Sequence, residues 1–412
     1  MVKRPNVMLS LGLILTVLAA LGAVQWRARD AFLKRGWTVE YPERVPDTPG
    51  YHSDVLSRAC VNASLESYSL ETLPWALDVI RDGGFGWVRQ RISWAAVEPE
   101  RGVQDWAAVD AIVEGTLARG LGLVAVLDDA PAWAGGPPDP QAYARWAGAV
   151  AARYGDQLTY YQIWHNPNLG EAWGGTADAY AYTTLLTRAA EAIRAADAGA
   201  RIVLGSLAPT IERGGSNFVE SLFLDMLYDA GAGPAFDVVA VQPYGFHTGP
   251  DDRRVADDVL SFSRAILVRE ALVAHGESDK AVWASAFGWN SKPTSWPGPE
   301  SIWGTVDEIT QARYSVEALE RVEREWPWMG LMCLNGLQPR PETQVDNVAE
   351  SGTPDALEHW GFALVTPGHD GRTGPGVPRP IYEAVRKWAL TSQSAVSGAY
   401  RADTELATFE GL

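Results

Sequence analysis

The residues best placed to do chemistry sit where an apolar run breaks off. Tyr160-Tyr161-Gln162-Ile163 reads as a buried strand, and it stops at Trp164-His165-Asn166-Pro167-Asn168-Leu169-Gly170-Glu171, a polar turn locked by proline. A second apolar run ends in Asp128 and Asp129, and a third carries Arg89. Two carboxyl groups facing one another across a cleft could transfer a proton and attack or activate a nucleophile. Asp129 and Glu171 are the acids such chemistry would draw on here. His165 has no second His or Cys at ligand spacing, and Cys60 and Cys333 make no zinc pattern, so neither a metal site nor a cofactor is expected.

Positioning these groups needs a repeated scaffold. Apolar runs near 58–63, 86–92, 122–127, 158–164, 201–205, 236–242, 280–285 and 328–334 alternate with amphipathic stretches such as Pro140 to Tyr154, Ala177 to Ala196 and Val306 to Glu325. Alternating strands and helices imply a parallel sheet, and eight such units imply a closed (β/α)8 barrel, the α/β architecture of TIM barrels, whose chemistry sits at the C-terminal strand ends. Cys60 on the first strand and Cys333 on the eighth are then neighbours, either as a disulfide or as two buried thiols.

The flanks differ from this core. Residues 5–26, a run of 22, carry no charged side chain, close to the ~20 residues a bilayer-spanning helix needs. The run is long for the apolar core of a cleavable signal, and Gln25-Trp26-Arg27 gives it an interfacial end, so an uncleaved anchor is expected. The expected organisation is an anchor and its flank over 1–34, a Pro-rich linker over 35–57, the barrel over 58–391 and a Ser, Ala and Thr rich tail over 392–412. Lys and Arg number 34 against 51 Asp and Glu, a net charge of −17 that disfavours nucleic acid. The 18 tryptophans favour core packing and, secondarily, sugar stacking.

Several blocks resemble clan A glycoside hydrolases of the family 39 and family 5 type. Ile163-Trp164-His165-Asn166-Pro167-Asn168 is similar to that clan's fourth-strand Ile-Trp-Asn-Glu-Pro-Asn, and Trp283-Ala284-Ser285-Ala286-Phe287-Gly288 to its seventh-strand Thr-Glu-Phe-Gly. The block Trp87 to Trp94 resembles the second strand, where Arg89 would brace the nucleophile. Val241-Gln242-Pro243-Tyr244 resembles the sixth, with Gln242 where His is usual. The resemblance places Asn166 at the acid/base position and Ala286 at the nucleophile position. An amide gives up no proton near neutral pH and a methyl forms no glycosyl ester, so no intact catalytic pair is expected.

The expectation is therefore a membrane-anchored, catalytically inactive barrel outside the cytoplasm, binding a glycan or serving as a structural or accessory subunit of a membrane complex. A pocket lined by Arg89, Trp94, His165, Asn166, Asn168, Gln242, Tyr244, Trp289 and Trp360 would hold the glycan. Arg89, without the clan's carboxylate partner, requires an Asp from a neighbouring strand or a bound anion. The alternative is a working glycoside hydrolase using Asp129 and Glu171.

Overall fold

The structure, a computed structural model, describes residues 7–35, 58–135, 137–292, 301–339, 359–368 and 373–392. Most of the expected linker, 36–57, and of the expected tail, 393–412, lies outside the described residues. By contact the chain divides into two units, Met1–Val39 and Glu40–Leu412.

The first unit holds helix α1, Val7–Lys34, which covers most of the charge-free run. Among the described residues, no helix is long and apolar enough to cross a membrane, and the side chains of residues 7–15 lie outside that description.

The second unit is the barrel. Its strands are β1 (Ala59–Ala63), β2 (Trp87–Ser93), β3 (Gly122–Asp128), β4 (Tyr160–Ile163), β5 (Arg201–Val203), β6 (Val238–Val241), β7 (Ala281–Phe287) and β8 (Met329–Leu334). They close in chain order, every pairing is parallel, and β8 returns to β1 with Cys60 opposite Cys333. All eight fall within two residues of the runs read from sequence. Helices start where carboxylates cap them: Asp139 accepts from Ala142 N before Pro140–Tyr154, and Asp178 from Tyr180 N and Ala181 N before Ala179–Ala196. Asp307 accepts from Thr310 N before Glu308–Glu325, which moves that helix two residues past its expected start.

The period-two alternation of the strands sorts the interior into layers. A lower apolar layer draws on every strand: Cys60 and Cys333, which form a disulfide, with Trp87, Val124, Tyr160, Val203, Val238, Ala281 and Leu331. Two residues on, the same inward positions turn polar, as Cys60 gives way to Asn62, Trp87 to Arg89, Tyr160 to Gln162 and Trp283 to Ser285. The barrel is thus plugged below and polar above, at the C-terminal ends of its strands. The opposite face of the strands packs on the helices through residues such as Val88, Leu123, Tyr161, Val239 and Val282.

Candidate functional site

The upper layer is a hydrogen-bonded network centred on Arg89. Its Nε donates to Gln162 Oε1 (2.7 Å), its Nη1 to Asn62 Oδ1 (2.7 Å), and its Nη2 lies 3.3 Å from His165 Nδ1. Facing a donor, that imidazole nitrogen must be the unprotonated one. Asn62 Nδ2 donates to Ser285 O (2.8 Å) and Gln162 Nε2 to Leu204 O (3.1 Å), so one amide is held on the backbone of β7 and the other on that of the residue after β5. Across the mouth, Gln242 Nε2 donates to Asn166 Oδ1 (2.5 Å) and to Ser206 Oγ (2.8 Å). Ser206 Oγ in turn sits 2.5 Å from Ser285 Oγ.

Two charged groups are displaced from their ordinary titration. Burial pulls the Arg89 guanidinium down to about 10, with the nearby Asp128 charge acting the other way. Burial likewise pushes the Asp128 carboxyl up to about 6, an effect that Arg91 and Arg89 restrain. Arg91 Nε pairs with Asp128 Oδ1 at 2.8 Å.

The backbone at this end is strained in a consistent way. Four described non-glycine residues have positive φ: Asp129 (60°), Trp164 (72°), Asn166 (52°) and Phe246 (51°). Asp and Asn tolerate that region, whereas for Trp and Phe it is an outlier that the surroundings must hold in place. Trp164 is held by Nε1 donating to Ala172 O (3.0 Å) and by edge contacts with Tyr143 and Trp173. All four residues follow the C-terminal ends of β3, β4 or β6.

A cavity of about 740 Å³ opens above the network. Of the residues expected to form the site, Arg89, His165, Asn166, Gln242, Tyr244 and Ala286 line it. Glu171 lines it too, whereas Asp129 lines an adjoining cavity of about 290 Å³ that shares Arg91, Asp128, His165 and Ala172 with the first. The other expected ligand residues border neither cavity. Trp94 is stacked on Trp146 at 5.4 Å and donates from Nε1 to Glu98. Trp289 is fully buried, its Nε1 bonded to Thr248 O (2.6 Å). Trp360 packs against the Arg379 guanidinium. Asn168 spends its amide as a bracket, accepting from Ala208 N and donating to Ala208 O and Phe218 O.

Sequence reasoning named Asp128 but built its relocated pair on Asp129, and it passed over several cavity residues and partners: Asn62 as a support for Arg89, Gln162, Ser206, Ser285, Arg91 and Trp303, which stacks on Phe246 at 5.2 Å beside Tyr244. A polar side chain two residues beyond an inward apolar one was the available signal, as in Tyr160 then Gln162.

A closed barrel of this topology has solved counterparts. One is a family 39 glycoside hydrolase from Bacteroides cellulosilyticus WH2, with a TM-score of 0.59 at 19% identity over 81% of this chain and 63% of that one. What the match shows is a shared (β/α)8 barrel fold. A glucosidase from Croceicoccus marinus matches with a TM-score of 0.54 at 16% identity, over 76% of this chain and 63% of that one. A family 1 β-glucosidase from Thermotoga maritima matches at 0.52 and 13% identity, over 77% of this chain and 85% of that one. The chain thus spans under two thirds of the length of the first two. No family model and no curated protein matches the sequence.

Proposed function

We propose that this barrel binds a glycan at its mouth without hydrolysing it, and that the N-terminal helix anchors it to a membrane with the barrel outside the cytoplasm. One observation carries the first part: Asn166 and Ala286, the positions that the clan A resemblance equates with acid/base and nucleophile, both border the 740 Å³ cavity. Hydrolysis with retention requires two carboxyl groups ~5 Å apart across the scissile bond. An amide and a methyl supply neither proton nor nucleophile, while Arg89, with five N–H donors of which three are engaged, and the polar walls of the cavity suit a hydroxyl-rich ligand. The anchor is supported by the charge-free run 5–26 and its helical conformation from Val7, and the extracytoplasmic side by the Cys60–Cys333 disulfide, which persists in oxidising compartments. A structural or accessory role in a membrane complex is compatible with the same features.

Purified protein incubated with a panel of aryl β-glycosides is expected to release no phenol, while calorimetry against a glycan panel gives binding. Release by the wild type at enzyme-like rates would end the non-hydrolytic reading. Activity gained only in an Asn166→Glu, Ala286→Glu variant would support the positional assignment. For the anchor, carbonate-resistant membrane association, lost when residues 1–34 are removed, is expected; extraction of the full chain into the soluble fraction would sink it.

A second reading is favoured by Asp128 specifically. This carboxyl, raised to about 6, lines the large cavity together with Glu171, which makes it a better relocated acid than Asp129. On that reading the wild type is a hydrolase, and Asp128→Asn abolishes the turnover.

A further inference from the structure

The starting observation is a charge without a direct counter-charge. Among the described residues every hydrogen-bond partner of Arg89 is uncharged: Gln162, Asn62 and His165. A guanidinium carries five N–H donors, and those three contacts leave the remainder for the cavity that Arg89 lines. Removing such a cation from water is costly unless an anion is bonded to it. The other charges on the cavity wall do not fill that role. Asp128 acts on Arg89 only through space, its carboxylate being paired with Arg91 at 2.8 Å, and Glu171 is an exposed residue of the loop after β4.

A second donor faces the same space. Because Gln242 Nε2 donates to Asn166 Oδ1, the Asn166 amide presents its Nδ2 as the unused end, and Asn166 lines the cavity. The two amides that hold Arg89 are themselves fixed to backbone carbonyls of β8, β7 and the residue after β5, through Asn62 to Leu334 O and Ser285 O and through Gln162 to Leu204 O. The guanidinium is therefore preorganised: an incoming ligand would not have to order it. Opposite, Ala286 contributes only a methyl, so no carboxylate stands at that position to compete for the guanidinium.

Resting on the glycan-binding reading above, we propose that the ligand carries a carboxylate seated on Arg89, which makes the mouth cavity selective for acidic sugars. Planar carboxylates match the guanidinium fork, and bonds between charged partners are about twice as strong as neutral ones. The preference is notable in a chain of net charge −17, whose overall field repels anions. Selection must then come from the local donors.

The test is calorimetric titration of the full-length protein with methyl glucuronide and methyl galacturonide, each compared with its carboxyl methyl ester and with the neutral hexoside. Free acids are expected to bind at least about tenfold tighter than their esters, the range of one charge-assisted hydrogen bond. Arg89→Gln is expected to bring acid and ester to equal affinity, and Arg89→Lys to keep part of the preference. Equal binding of acid and ester by the wild type would overturn the inference while leaving glycan binding standing. Binding of no sugar at all, acidic or neutral, would remove the glycan-binding reading itself. Should Arg89→Gln fail to fold, the wild-type acid-to-ester ratio still decides.

Discussion

At the residue scale, the mouth cavity is a study in what burial does to charge. Asp128 is almost fully buried, and its pKa rises from the ordinary 3.8 to about 6 despite the Arg91 pair. A folded-state pKa above the unfolded value means that the folded chain binds the proton more tightly, so the associated stability is present at low pH and is lost as pH rises from about 4 through 6. Denaturant melts of wild type and Asp128→Asn between pH 4 and 7 should therefore diverge: the wild type loses on the order of 2 kcal/mol relative to the variant over that window. Parallel curves would place the Asp128 titration elsewhere. Asn168 teaches a different lesson. Its motif position suggested a ligand contact, but three hydrogen bonds to the backbone at 208 and 218 make it a clamp on the loop after β4.

At the element scale, the loops beyond β5 and β6 are fastened by an ion pair as well as by the apolar packing of residues such as Leu207, Val255 and Phe262. Arg264 and Glu220 are both buried, with Nε to Oε1 at 2.9 Å, and the same guanidinium donates to the carbonyls of Asp257, Val259 and Thr210. Helix α2, taken as Glu220–Asp229, thus starts from a residue that also holds two loops. Glu220→Gln leaves a buried cation facing an amide, and a loss of about 3–5 kcal/mol in unfolding free energy is expected. A change below about 1 kcal/mol in chemical denaturation would mean that the backbone carbonyls alone satisfy Arg264. The polar residues of the strands follow the same logic: Gln162 lies in an apolar strand because Arg89 and Leu204 O consume its amide.

At the scale of the whole molecule, barrel closure joins the first and last strands, and the disulfide sits on that seam. Cys60 and Cys333 are opposite one another in the β1–β8 register and 273 positions apart in sequence. A crosslink between such distant positions restricts the unfolded chain strongly, so Cys60→Ala with Cys333→Ala should cost about 2–5 kcal/mol. The check is a thermal or denaturant melt of oxidised protein, reduced protein and variant; coincident curves for all three would show that closure depends on packing alone. The layered interior explains why that is a fair contest, since the disulfide lies within an apolar plug to which every strand contributes.

The sequence by itself determined the scaffold. Eight apolar runs set off by amphipathic stretches specify a parallel (β/α)8 barrel because each strand must bury both faces, and the strands and the three helical stretches given bounds ended within two residues of where apolar runs and periodicity put them. It also placed Arg89, His165, Asn166, Gln242, Tyr244 and Ala286 around one mouth, since residues at the C-terminal ends of neighbouring barrel strands must converge. What only the tertiary structure decided was which large or polar side chains turn away. Trp94, Trp289 and Asn168 were drawn into packing and loop clamps by partners remote in sequence, Trp146, Thr248 and Ala208 among them. Asp128 and Arg91 face the cavity because the inward positions of β2 and β3 continue past Arg89 and Val126, and it was their pairing with one another at 2.8 Å that only the folded chain decided.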